Sequence, residues 1–93
     1  MASGLTALHQ IDHLLTALTA AWEELPEVAS EFAAWPQIDQ VDFAESWSIN
    51  NVLFHRLEEY LQQTTPTTTQ QARYRALHEL MERNQPYLKQ ILC

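Results

Sequence analysis

An all-α fold, a small bundle of three main helices with one short acidic helix or loop segment, is what this sequence predicts, and three observations carry the prediction. The 93 residues contain a single glycine, whereas β-hairpins draw heavily on Gly, Asn-Gly and Asp-Gly turns. Long stretches are rich in Ala, Leu, Gln and Glu, with no alternation of apolar and polar residues. Apolar residues instead recur in steps of three and four, the spacing that lines one face of a helix. A hydrophobic content of 46% is ample for a core, and the length suits one domain over residues 1–93.

Four prolines, Pro26, Pro36, Pro66 and Pro86, mark segment boundaries, because proline starts helices well and breaks their interiors. The first helix is expected over residues 4–24. Leu8, Ile11, Leu15, Leu18, Trp22 and Leu25 form one stripe, with Leu14 widening it and Ser3 or Thr6 as N-cap. Val28, Phe32 and Trp35 suggest a short helix near 27–35 that Pro36 ends. The next main helix is placed at 48–63, capped by Ser48, with Ile49, Leu53, Leu57, Tyr60 and Leu61 facing the core. A competing register through Phe43, Trp47, Phe54, Leu57 and Leu61 would start that helix near Val41.

The run TTPTTT at Thr64–Thr69 is the clearest break, since threonine is a poor helix former and Pro66 lacks a backbone donor. It reads as the connection of a helical hairpin, with Thr65 as cap and Pro66 as first helical residue. The last main helix is expected over 66–84, carrying Tyr74, Leu77, Met81, Leu88 and Ile91 in one stripe. Asn84 falls at the gap in that stripe. It marks the helix end before Pro86, which should kink or stop the helix there and leave a turn or short helix behind it; fixing register through a buried hydrogen bond is the other use of such a residue. The expected core is Leu8, Ile11, Leu15, Leu18, Leu53, Leu57, Leu61, Leu77 and Met81.

The net charge of −7 has the wrong sign for a phosphate backbone or an anionic membrane surface, so neither nucleic acid nor membrane is expected as a partner. No run approaches the roughly 18 apolar residues of a spanning helix, and the N-terminal residues lack a signal-peptide pattern, which predicts a cytoplasmic protein. Cys93 is the only cysteine and the last residue. It offers no internal disulfide, no cysteine-based zinc cluster and no prenylation box, and is expected to be a terminal thiol.

Seven acids, Glu23, Glu24, Glu27, Glu31, Asp39, Asp42 and Glu45, crowd a span without Lys or Arg, while acids and bases balance elsewhere. All three tryptophans, Phe32 and Phe43 share that neighbourhood. Aromatics in a small bundle usually serve the core and acids near helix starts answer the helix dipole. The same mixture also suits a protein interface, where aromatic anchors supply area and acids steer a basic partner. The expected partner-binding residues are Glu27, Glu31, Phe32, Trp35, Asp39 and Asp42, with Trp35 or Phe32 as anchor. The partner would be a protein, a second copy of this chain included, and Arg73, Arg75 and Arg83 supply a modest basic face for such a copy.

No nucleophile elbow, phosphate loop or metalloprotease helix motif is present, so no enzyme and no cofactor are expected. His9 and His13 share a helical face with Asp12, but two ligands do not complete a metal centre. The residues three before the histidines are Thr6, Gln10, Val52 and Arg75, so the Glu-x-x-His pattern of two-metal bundles is missing. His55 with Glu59 and His78 with Glu82 have the spacing of helix ion pairs. A metal or catalytic site assembled from these four is the alternative function, and a structural homo-oligomer is the second.

The stretches WPQIDQVDF, ESW and RLEEYLQQ, followed by ARYRALHELMERNQPYL, resemble small helical cyanobacterial proteins of unknown function. The resemblance covers about two thirds of the chain, rests on spaced Trp, Asp-Phe and Asn-x-Pro residues, and implies a bacterial, cytoplasmic setting. It carries over no functional residue.

Overall fold

A computed structural model describes residues 3–92; the Cys93 thiol and the Ser3 hydroxyl offered as a cap lie outside the described residues. Helix α1 spans Ser3–Glu23, α2 Leu25–Glu31, a 3-10 turn Phe32–Ala34, α3 Gln37–Gln63 and α4 Thr68–Leu92. The all-α bundle of three main helices and one short one is therefore present. Thr6 sits inside α1 rather than capping it.

Helix α1 packs against both α3 and α4, and α2 packs against α4. Hydrogen bonds from Gln70 and Arg73 reach Leu8, Asp12 and Thr16, and one from Asn84 reaches Trp22, so α1 and α4 run parallel. The hairpin turns α3 antiparallel to both. At 1.5 Å per residue α3 alone is about 40 Å long, most of the 50 Å long axis of the molecule.

The α1 stripe is buried as its spacing predicts: Ile11, Leu15 and Leu18 are fully enclosed, together with Leu14, Trp22 and Leu25. Leu57, Leu77 and Ile91 close the core from α3 and α4, while Leu8, Leu53, Leu61 and Met81, expected there, pack at its edge. Trp22 and Trp47 meet edge to face at 5.1 Å, a favourable aromatic geometry, and both are buried.

Three boundaries depart from expectation. Helix α3 begins at Gln37, eleven residues before Ser48, and the competing register is the buried one: Trp47 is 5% exposed and Ile49 58%. Ser48 caps nothing and donates its hydroxyl to the Glu45 carbonyl at 2.7 Å. At the hairpin, Thr67 and not Thr65 is the cap. The Gln70 N–H donates to Thr67 Oγ1 and the Thr67 N–H to Gln70 Oε1, each at 3.1 Å, a reciprocal capping box. Thr67→Ala should therefore cost about 1 kcal/mol, read as a lowered urea midpoint at unchanged slope.

Pro86 neither ends α4 nor limits it to Asn84: the helix continues to Leu92. Pro86 removes the donor that the Glu82 carbonyl would accept from. Both residues are exposed, so water reaches that carbonyl, and continuing the helix buries Ile91 in the core.

One other proline is compensated by a side-chain amide. Pro26 cannot donate to the Trp22 carbonyl four residues back, and Asn84 Nδ2, buried, donates to it instead at 2.8 Å. Asn84 is thus a register residue and not a helix end. At Pro36 no such gap arises: the Trp35 N–H donates to the Phe32 carbonyl at 3.1 Å and closes the 3-10 turn, and Gln40 Nε2 adds a second hydrogen bond to that carbonyl at 2.9 Å and one to the Trp35 carbonyl at 3.1 Å.

Candidate functional site

The acidic, aromatic part of the chain gathers at the end of the bundle where α2 gives way to α3. The turn after α2 is pinned to the first turns of α3 by the Gln40 amide, and this brings four rings together. Phe32 lies 5.5 Å from Trp35 and 5.9 Å from Phe43, Trp35 lies 6.0 Å from Phe43, and Phe43 stacks at 5.8 Å on Trp47. The rings form a graded chain from solvent to core: Phe32, Trp35 and Phe43 are half-buried, Trp47 is buried and touches Trp22.

The predicted acids all point outward. Glu27 and Glu31 lie one turn apart on α2, and Asp39 and Asp42 lie three apart at the start of α3; all four are exposed. The two pairs sit on elements that rest on different neighbours, α2 on α4 and α3 on α1. Phe32 and Trp35 stand between them in the chain. Among the described residues the close pairs of acid and base are Arg73 with Asp12 at 3.3 Å and His55 with Glu58 at 3.7 Å, so none of the seven acids from Glu23 to Glu45 has an ion-pair partner among them.

The histidine candidates do not converge. His55 faces Glu58 rather than Glu59, and His78 stands edge-on to Tyr74 at 4.7 Å and to Phe54 at 5.6 Å instead of meeting Glu82. Asp12, between His9 and His13, is held by Gln70 at 3.0 Å and by Arg73. Arg73 also donates to Thr16 at 2.8 Å, which removes it from the expected basic face. Among the described residues no three His, Cys, Asp or Glu side chains are placed to share a metal ion, so the cluster His55, Glu59, His78 and Glu82 does not assemble.

Two shallow grooves flank the bundle. One, of about 430 Å³, lies between α3 and α4 and is lined by Leu61, Pro66, Gln71, Tyr74, Arg75 and His78. Burial raises the Tyr74 hydroxyl above its ordinary pKa and the Glu58 carboxylate raises it further, so Tyr74 is a neutral aromatic wall. The other, of about 450 Å³, runs over His9, Asp12, His13, Thr16 and Ala17. Both open widely to solvent, without the enclosed apolar walls of a small-molecule site.

The outer face of α3 is the feature that sequence reasoning missed. Ile38 is 70% exposed, Val41 47%, Ile49 58% and Val52 57%. Positions 38, 41, 45, 49 and 52 step by three and four along one side of the helix, opposite the buried Trp47 and Leu57 and the half-buried Phe43 and Leu61. Of its residues only Ile49 belongs to an expected apolar spacing, that of the helix placed at 48–63; Ile38, Val41 and Val52 fall in neither of the two registers that would start the helix at Ser48 or near Val41.

No family model matches the chain, and no curated protein and no solved structure matches it. Among the described residues, no helix is long and apolar enough to cross a membrane.

Proposed function

We propose that this protein is a small acidic protein–protein interaction module, non-enzymatic, whose docking end is formed by Glu27, Glu31, Phe32, Trp35, Asp39 and Asp42. The observation that carries this reading is the set of seven carboxylates, without an ion-pair partner among the described residues, around half-buried aromatic rings. Like charges three or four residues apart on a helix cost a few tenths of a kcal/mol per pair (~0.2–0.5), and a basic partner relieves that repulsion while it is being attracted. Phe32 and Trp35 keep part of their ring surface in water, and covering it adds the apolar area that anchors an interface. The acids act at long range and set the association rate; the rings act at contact and set the lifetime of the complex. The setting that fits this proposal is a bacterial cytoplasm.

The test compares the native chain with the variant Glu27→Lys, Glu31→Lys, Asp39→Lys, Asp42→Lys. All four positions are exposed on helices, so helicity by circular dichroism should be retained. A protein captured from source-cell lysate by the native chain should be lost from the variant. Its association rate with the native chain should fall by at least tenfold as ionic strength rises through the physiological range. Equal capture by both chains, or a salt-independent rate, would overturn the steering mechanism.

A further inference from the structure

The outer face of α3 is not explained by the acidic end, because it runs on past Asp42 through Ile49 and Val52 to the middle of the helix. We infer that this face is a self-association surface on which α3 of a second copy lies antiparallel. The inference is separate from the steering of a basic partner and, Glu45 apart, uses different residues.

Scattered exposed aliphatics are ordinary, but four on one side of a single helix, Ile38, Val41, Ile49 and Val52 with Glu45 among them, mark a surface that something covers. Helix α3 packs its inner face on α1 and, at its start, on Phe32 and Trp35, and Ile38, Val41, Ile49 and Val52 on its outer face are exposed. Isoleucine and valine are stiff residues that lose little freedom when packed, and they suit the seam between two helices.

The order of charges along the row selects the occupant. From Glu45 the row continues Ile49, Val52 and Arg56, in steps of four, three and four. These steps read the same in both directions, so a copy turned end for end about a two-fold axis between Asn50 and Asn51 matches the row to itself. Ile49 then faces Val52 of the second copy, and Glu45 faces its Arg56, once on each side of the axis. Arg56 is the only Lys or Arg on α3, is exposed, and makes no ion pair among the described residues. A parallel copy would instead set Glu45 against Glu45 and Arg56 against Arg56. An antiparallel two-fold contact is isologous and closes on itself, giving a dimer and no fibre. Val41 falls opposite the half-buried Tyr60, so the seam covers residues 41–60, about 30 Å of helix. A bundle of this size buries only about 60% of its unfolded surface, and the seam supplements that core. One helix pair makes a small interface, which gives a dimer that dissociates on dilution.

Sedimentation equilibrium of the full chain in reductant, over a wide concentration range, tests the inference. The native chain should pass from monomer to dimer as concentration rises. Ile49→Lys, and independently Val52→Lys, should remain monomeric at the highest concentration with native helicity; using two positions guards against a folding failure at either. Glu45→Arg and Arg56→Glu should each weaken the dimer on the order of tenfold, since each turns two attractive exposed pairs into repulsive ones, and the double variant should recover native affinity. A native chain that stays monomeric throughout would overturn the inference and leave the face to another protein. Dimerisation of both Lys variants at native strength would overturn the surface, and a double variant no tighter than the singles would overturn the antiparallel register. Neither Glu45 nor Arg56 belongs to the four-lysine variant, so loss of the dimer and loss of the basic partner are read separately.

Discussion

Leu57→Ala will destabilise the protein by roughly 2–5 kcal/mol, the range for emptying a well-packed leucine site, while Ile49→Ala will shift stability by no more than about 0.5 kcal/mol. Both residues are aliphatic, both lie on α3, and both fit a helical apolar spacing; the difference is that Leu57 is fully buried and Ile49 is 58% exposed. Leu57 fills space between α3 and α1 that no neighbour can reclaim without moving a helix. A chain of this size has a total stability of roughly 5–14 kcal/mol, so the Leu57 variant loses a large fraction of it. Its melting temperature should fall by 10 °C or more, at about 4–8 °C per kcal/mol. Ile49→Ala must be measured at a concentration where the chain is monomeric, because its effect belongs to association. Similar losses for the two variants would show that the helix buries the other register.

Asn84→Leu is expected to cost about 1–3 kcal/mol, the penalty for leaving a buried polar group without its partner, even though leucine has the branching and the heavy-atom count of asparagine. The side chain itself would sit comfortably in an apolar site. The damage falls on the Trp22 carbonyl, which Pro26 cannot serve and which the Asn84 amide alone satisfies in the chain. This account makes a second, more discriminating prediction. Pro26→Ala supplies the missing N–H four residues after Trp22, and in the Asn84→Leu background it should restore most of the loss. In the native background the same change should do little, because the carbonyl is already paired. A double-mutant cycle from urea midpoints gives the coupling directly. Additive effects of Pro26→Ala and Asn84→Leu would show that the amide serves some other purpose.

These two predictions also mark where the sequence was legible. The α1 stripe from Leu8 to Leu25 is apolar on one side only, so its buried face follows from spacing alone. The break at TTPTTT is equally local: threonines and a proline stop a helix wherever they stand. Helix α3 was read less well because it is apolar on two opposite sides. Its period is sound in both registers, and the cap-like Ser48 favoured the shorter helix. Nothing within α3 distinguishes the faces; the docking of Trp47 against Trp22, 25 residues earlier in the chain, does so.

The polar residues that tie the helices together were the least visible. Gln40 and Gln70 look like ordinary solvated amides in a sequence rich in glutamine, and Asn84 reads first as a helix end. Their roles follow from backbone carbonyls and side chains that the fold brings near: Gln40 serves the turn that Pro36 interrupts, Gln70 bridges the hairpin cap to α1, and Asn84 completes α1 from 62 residues away. The expected site residues Glu27, Glu31, Phe32, Trp35, Asp39 and Asp42 lie where their positions suggest, outward or half-buried. Of the exposed row on α3 only Ile49 stands in an expected apolar spacing; Ile38, Val41 and Val52 fit neither expected register.

The sequence by itself determined that this chain is helical, where its main breaks fall, which face of α1 is buried and that its acids are concentrated in the middle. Those properties depend on residues within one or two turns of each other, through steric preference, hydrogen-bonding capacity and the helical period. Long-range packing settles which side of α3 faces the core, that α4 runs through Pro86, and that the Asn84 amide replaces the donor Pro26 lacks. Burial and pairing are properties of neighbours, and those neighbours lie as much as 62 positions away along the chain.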